Sequence, residues 1–230
     1  YVHRSLAHNQ VKFSPILSNL VKIIFWSRMF WYRESDIKYW VAIHRKHHSF
    51  PDTVEDPHSP HFYDKKFLIL KGRTRIEEED AVKFLKNYQY PRSILDNIFE
   101  KFPYGPYVFF AVLTLCFGWW GLLAWVVLMS TAYYSSIGNV MFHTFPGYRN
   151  VDSLKSSDRS RNLWPIGIPM GGEELHGNHH RWPNRANFAV RHWEVDAGYC
   201  ILWLLEKVKL VKILTNNPIE NTELKAKRYK

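Results

Sequence analysis

The stretch "FPYGPYVFFAVLTLCFGWWGLLAWVVLMSTAYYSSIGNVMFHTFPGY", residues 102–148, runs for 47 residues without a Lys, Arg, Asp or Glu. As one helix at 1.5 Å per residue it would measure roughly 70 Å, more than twice the ~30 Å hydrocarbon core of a bilayer. It therefore reads as two spans near 104–118 and 121–143. "FGWWGLL" supplies the turn, with Gly118 and Gly121 as helix breakers and Trp119 and Trp120 suited to a lipid interface. The expected fold is all-α: an integral membrane helical protein with a transmembrane hairpin and a cytoplasmic helical cap, all within one domain over residues 1–230. The competing reading is a hairpin buried inside a large soluble protein.

The flanks set the expected orientation. Residues 1–101 hold 17 Lys/Arg against 12 Asp/Glu, and residues 149–230 hold 14 against 9. A two-span hairpin returns the chain to its starting side, and the positive-inside tendency puts both basic flanks, and any site they build, in the cytoplasm. Such flanks favour membrane lipids and phosphate-bearing groups as partners. Nucleic acid is not expected, because no recognised binding module is present. Two cysteines, Cys116 and Cys200, cannot form a disulfide framework and suit a reducing compartment. Residues 11–32 and the stretch "YCILWLLEKVKLVKIL" have the mixed apolar and basic character of interfacial helices. Residues 52–66 read as a loop, and "RTRIEEEDAVKFLKNY" reads as a solvated helix.

Eight of the twelve histidines fall in three short clusters: His3 and His8; His44, His47 and His48; His176, His179 and His180. In the second and third, the i, i+3, i+4 spacing puts three imidazoles on one helical face, where they can share one metal or two neighbours. His3 and His8 lie five residues apart, about 140° on an ideal helix, so they serve different metals or straddle a helix end. Asn139 and His143 are i, i+4 near the cytoplasmic end of the second expected span, where strongly polar groups need a partner. Nine imidazoles and an amide exceed one closed tetrahedral zinc site, and no thiolate cluster or His-Glu-x-x-His pattern is present. Two metals fit the set, and ligand type leaves iron, copper, nickel and zinc open.

"HRSLAH", "HRKHH" and "HGNHH", in that order around an apolar hairpin, resemble the three histidine boxes of membrane fatty-acid desaturases. The resemblance extends to "WVAIHRKHH" followed by "EDPHSP", to "NVMFH", and to "GGEELHGNHHRWPN" followed by "WEVDAGY". It is closest to the acyl-CoA (Δ9-type) branch, particularly its bacterial members, and covers His3 to about Ile213. It implies a non-haem di-iron enzyme that desaturates a long-chain fatty acyl substrate, as the CoA thioester, with dioxygen as co-substrate. Electrons would come from a donor such as a ferredoxin or a b-type cytochrome with its reductase.

Carried over position by position, the iron ligands would be His3, His8, His44, His47, His48, His143, His176, His179 and His180. Asn139 would hold a metal-bound water. Asp56 and His58 would support the ligands, Glu173 and Glu174 would orient imidazoles or cap a helix, and Trp40 and Lys71 are candidates for the substrate path. Lys65, Lys66 and Arg73 accompany Lys71 as cations near substrate phosphates or on a solvated face, while His61 and His192 receive no role. Two departures stand out. The family's pair of spans before the first box is absent, so an N-terminally truncated domain is expected. Ala42 stands where animal acyl-CoA enzymes carry an arginine, which leaves lipid-linked acyl chains open as substrates. A membrane di-iron hydroxylase or alkane monooxygenase, and a non-catalytic membrane metal-binding protein, are the rival readings.

Overall fold

A computed structural model describes residues 1–28, 34–71, 76–130, 133–152, 155–165 and 170–217. Helices dominate. A π-helical turn, Val2–Ala7, leads into β1 (Val11–Phe13) and the helices α1 (Pro15–Arg28) and α2 (Glu34–Ser49). Three short helices follow, α3 (Lys65–Lys71), α4 (Glu78–Lys83) and α5 (Ile94–Lys101). The charge-free stretch gives α6 (Gly105–Phe117), α7 (Trp119–Ser130) and α8 (Tyr134–Thr144), and the chain continues into α9 (His176–Arg181), α10 (Ala197–Lys207) and β2 (Val211–Ile213). β1 and β2 pair antiparallel, Lys12 opposite Lys212, adding a small ribbon to the helical class expected. Residues 52–63 form turns, as their Pro, Asp and Ser content demands, and of the solvated helix expected over residues 73–88 the described part, from residue 76, is helical only in α4.

The transmembrane hairpin is overturned. α6 and α7 have 13 and 12 residues, about 20 and 18 Å long at 1.5 Å per residue. That falls short of the ~30 Å a span must cover. Among the described residues no helix is long and apolar enough to cross a membrane. The physical cause is segmentation that hydropathy does not register. Gly118, at φ +56°, ends α6, and the second expected span is divided between α7 and α8, with residues 131 and 132 outside the described residues.

α6 and α7 do fold back on one another. A Cβ on Gly121 would lie 1.9 Å from the Leu113 carbonyl oxygen, so the glycine sets the approach of the two helices. The Trp125 indole donates to the Pro106 carbonyl at 2.9 Å and packs edge-on to Phe110. The outer faces and tip are exposed: Leu115 85%, Trp119 78% and Trp120 78%.

Three apolar clusters hold the rest. Leu6 and Ala7 of the π turn pack with Ile37 and Val41 of α2 and Phe99 of α5. Ala42 and Ile43, on another face of α2, meet Ile76 and Ala81. Val11 and Val211 of the ribbon meet Ala186 and Leu202 of α10. A buried ion pair, Lys22 Nζ to Asp96 Oδ2 at 2.6 Å, ties α1 to α5. The π turn, α2, α8 and α9 thereby surround one polar interior.

Candidate metal centre

The π turn resolves the odd spacing of the first cluster. A π-helix closes on the fifth residue, and the His8 amide donates to the His3 carbonyl at 3.1 Å, so i and i+5 share a face. The two imidazoles sit edge to face with centroids 4.9 Å apart. Two arginines hold this turn in place. Arg4 is buried, makes a bidentate pair with Asp196 at 3.0 and 3.1 Å, and donates to the Ala186 and Gly171 carbonyls. Its guanidinium lies 4.0 Å from the centroid of Phe188, whose ring touches His179. Arg45 of α2 donates to the carbonyls of Leu6, Ala7, Phe84 and Lys86.

α9 is only six residues long, so its position depends on side-chain bonds. Asn178, between the histidines of the third cluster, accepts from Asn150 and Asn162 and donates to the Phe188 carbonyl and Glu194. Glu194 also accepts from the Tyr148 hydroxyl and the amides of Val190 and Arg191. Asp196 caps α10 through the Tyr199 amide. "WEVDAGY" thus works as the clamp that seats α9.

The nine histidines divide into two groups. His3, His8, His44, His48 and His179 turn one nitrogen each toward a common point, and His47, His143, His176 and His180 do the same beside them, the donor atoms in each group lying within 4.8 Å of one another. In the first group the Nε2···Nε2 distances are 2.8 Å for His8–His44, 3.0 Å for His3–His179 and His48–His179, and 3.1 Å for His44–His48. In the second, His47 and His180 face each other at 3.2 Å. The groups adjoin through His48 and His180, with centroids 4.4 Å apart.

Carboxylates fix the tautomers. The Nδ1–H of His3 donates to Glu173 at 3.0 Å, that of His47 to Asp56 at 2.8 Å, that of His143 to Asp52 at 2.7 Å and that of His180 to Asp158 at 3.1 Å. In each, the proton on Nδ1 leaves a lone pair on Nε2. His47 and His180 therefore oppose two lone pairs at 3.2 Å, an arrangement that is repulsive unless a cation is shared. The buried His143 Nε2 and both ring nitrogens of His176 lack a hydrogen-bond partner among the described residues. The donor set fits two transition-metal ions.

Electrostatics agree with that fit. Burial, reinforced by mutual repulsion of the imidazoles, holds His8, His44, His48, His176 and His179 well below the usual histidine range, in the neutral form that metals require. Burial also lowers His180, to about 4, against the pull of Asp158. For His47, burial is outweighed by the charge and hydrogen bond of Asp56, and its pKa is raised. Asp52 resists its own burial through His143, the Arg159 amide and Ser59, and stays below the usual carboxylate range.

The other expected site residues fall as follows. Asn139 lies one helical turn before His143, and its amide nitrogen donates to the His58 carbonyl at 3.0 Å. Asp56 also accepts from the Asp52 and His58 amides, and the His58 ring packs 4.3 Å from His47, its Nε2 buried without a hydrogen-bond partner. Trp40 stacks on His44 at 4.9 Å and 8°. Glu174 is buried, neither carboxylate oxygen has a hydrogen-bond partner among the described residues, and burial raises its pKa to about 7. The Lys71 side chain and Arg73 lie outside the described residues. Asp52, Asp158, Arg4, Arg45 and Asn178 escaped the sequence reading. Asp52 carried a usable signal, standing four residues before Asp56 in the loop that follows the second cluster. His61, given no role there, packs its Nε2 against the His143 carbonyl at 2.9 Å.

No family model matches the chain. It is 30% identical over 255 residues to a hex-5-enoyl-[acyl-carrier protein] acetylenase of Moorena producens (strain JHB), covering 97% of this chain and 74% of that protein. It is 27% identical over 218 residues to an acyl-CoA 5-desaturase of Anemone leveillei, covering 90% and 64%. A Delta-9 acyl-lipid desaturase of Arabidopsis thaliana is 29% identical over 186 residues, covering 74% and 56%. The chain spans between about half and three quarters of the length of these relatives.

Proposed function

Because the chain belongs to the fatty acyl desaturase family, we propose that it desaturates a long-chain fatty acyl substrate, with two iron ions held by the nine imidazoles. The reaction joins one –CH2–CH2– unit, one dioxygen, two electrons and two protons, and yields one –CH=CH– unit and two waters. The observation that carries this reading is the division of the histidines into groups of five and four, each converging on one point, with carboxylates holding the outer nitrogens of His3, His47, His143 and His180. His3, His8, His44, His48 and His179 would hold one iron; His47, His143, His176 and His180 would hold the other, with Asn139 positioning a water. Bound iron would supply the reduction of dioxygen and the oxidising power that removes hydrogen from unactivated methylenes.

The chain's own residues position and protect. Burial keeps water from the inner group and holds His176 and His180 in the neutral form. Asp52, Asp56, Asp158 and Glu173 lock ring orientation. The carrier we put first is coenzyme A; the relatives' names carry acyl-carrier protein, CoA and lipid in turn, so the carrier is open to direct comparison. Electrons would come from a ferredoxin or a b-type cytochrome with its reductase. We place the protein at a lipid surface with the metal centre on the cytoplasmic side, supported by the exposed apolar tip at Trp119 and Trp120.

The test is the fatty-acid profile, by gas chromatography with mass detection, of cells expressing the full-length protein or its His179→Ala variant. Monounsaturated chains that vanish in the variant support desaturation. Hydroxylated chains assign an oxygenase instead, and an unchanged profile from iron-loaded protein leaves a metal-binding protein. Acyl-CoA and acyl-lipid supplied in parallel to purified enzyme decide the carrier.

A further inference from the structure

The two imidazole groups differ in their access to solvent. His47, His143, His176 and His180 are all buried, whereas His3, His8 and His48 of the five-membered group are only part-buried. His8 and His48 form part of the lining of a surface cleft of about 280 Å³. Its rim carries Arg45, Lys86, Asn87 and Asn184, and no acidic side chain lines it.

Such a lining suits neither an acyl chain, which gains by burying methylenes against apolar walls, nor a cation. It is stiff as well as basic. Arg45 is pinned to four carbonyls, two in the π turn that carries His8 and two in the turn that carries Lys86, so the charge and the imidazole edge keep a fixed relation. Asn87, at φ +59°, shapes that rim. Lys86 and Asn184 are exposed, and their backbone carbonyls accept from Arg45 and from the Thr215 hydroxyl.

We infer that this cleft is where a one-electron carrier protein with an acidic face docks and delivers electrons through His8 and His48 to the five-imidazole group. The inference rests on the desaturase reading, which requires two electrons per double bond. At each encounter the carrier's redox centre would lose one electron to iron held by the five imidazoles, so two encounters would supply the two electrons of the overall balance. The buried four-imidazole group, which has one ligand fewer, is then left to the acyl chain. Division of labour between the metals follows from their unequal exposure.

The experiment uses the full-length, iron-loaded enzyme in stopped flow, with a reduced plant-type [2Fe–2S] ferredoxin as acidic probe and the methyl viologen radical cation as a small reductant that needs no docking surface. Lys86→Glu and Asn184→Glu place negative charge on the rim. Each is expected to slow ferredoxin oxidation about tenfold at low ionic strength, with the difference fading toward roughly 0.5 M salt. Reduction by the viologen radical should keep the wild-type rate. Ferredoxin oxidation that is unchanged in both variants overturns the docking site, as does an equal loss with both reductants, which would report damage to the metal centre. Wild-type enzyme that takes electrons from neither reductant refutes the desaturase reading itself, a different failure from that of the cleft.

Discussion

Replacing Asp52 by asparagine separates the charge of a supporting carboxylate from its shape. Asp52 Oδ2 accepts from His143 Nδ1 at 2.7 Å and the Arg159 amide at 2.8 Å, and Oδ1 accepts from the Ser59 hydroxyl at 2.8 Å. An asparagine whose amide oxygen takes the Oδ2 position keeps the first two bonds, and its NH2 can donate to a rotated Ser59 hydroxyl. The variant therefore folds, and what it loses is the anion. A charge-assisted bond contributes ~1.5–3 kcal/mol where a neutral one contributes ~1, so His143 becomes a weaker ligand by about 1–2 kcal/mol. At ~1.4 kcal/mol per decade, metal affinity of the four-imidazole group should fall about tenfold, within the range typical of partners behind a ligand histidine. Asp52→Ala should do worse, because it strands two buried N–H donors. The assay is competition for ferrous iron against a chelator of graded concentration, with iron per chain read by mass spectrometry. Asp52→Asn should release one iron at about tenfold lower chelator while the other iron behaves as in the wild type. Unchanged release of both, or equal weakening of both, would refute the tautomer-locking argument.

Other perturbations test other layers of the structure. Lys22→Ala leaves the Asp96 carboxylate without its buried counter-ion, and urea unfolding should show a loss of about 3–5 kcal/mol. Gly121→Leu drives a side chain into the Leu113 carbonyl; the α6–α7 hairpin should open, with faster proteolysis between residues 105 and 130 and iron content retained. Lowered histidine pKa values set the acid behaviour of the metal-free protein. In the unfolded chain the imidazoles of His8, His44, His48, His176 and His179 take up protons near pH 6.5, whereas buried in the fold they do not. Stability should therefore fall as pH drops below about 6.5, each histidine adding up to ~1.4 kcal/mol per pH unit, and a flat urea midpoint from pH 7 to 5 would contradict burial of neutral rings. Liposome flotation tests the exposed tip: wild type should float with vesicles, and Trp119→Ser/Trp120→Ser should remain largely in the soluble fraction.

The second and third clusters were readable because an α-helix repeats its face every three to four residues, and α2 and α9 obey that period. His3 and His8 were placed only ambiguously, since five residues close a π turn and not an α turn, and no sequence pattern announces that choice. The supporting carboxylates were half legible. Asp56 lies nine residues from the ring it holds, but Glu173, Asp52 and Asp158 reach theirs across 170, 91 and 22 residues, so that only their neighbourhood to a cluster, and not the ring they serve, shows in the sequence. The hairpin was the main misreading: absence of charge over residues 102–148 says where the chain is apolar, not that its helices are long, and Gly118 and the division between α7 and α8 shorten them. Arg4, Arg45 and Asn178 were hidden for a simpler reason, because a basic or amide side chain inside a polar motif gives no hint that it will be buried.

The most direct measurement is the iron stoichiometry and 57Fe Mössbauer spectrum of the full-length protein reconstituted anaerobically with ferrous iron. Two irons per chain are expected, in two ferrous doublets of equal area, because five imidazoles converge on one point and four on another. One of the two should be lost selectively in His143→Ala. A single iron per chain, or one doublet that His143→Ala leaves intact, would contradict a centre built from two histidine groups.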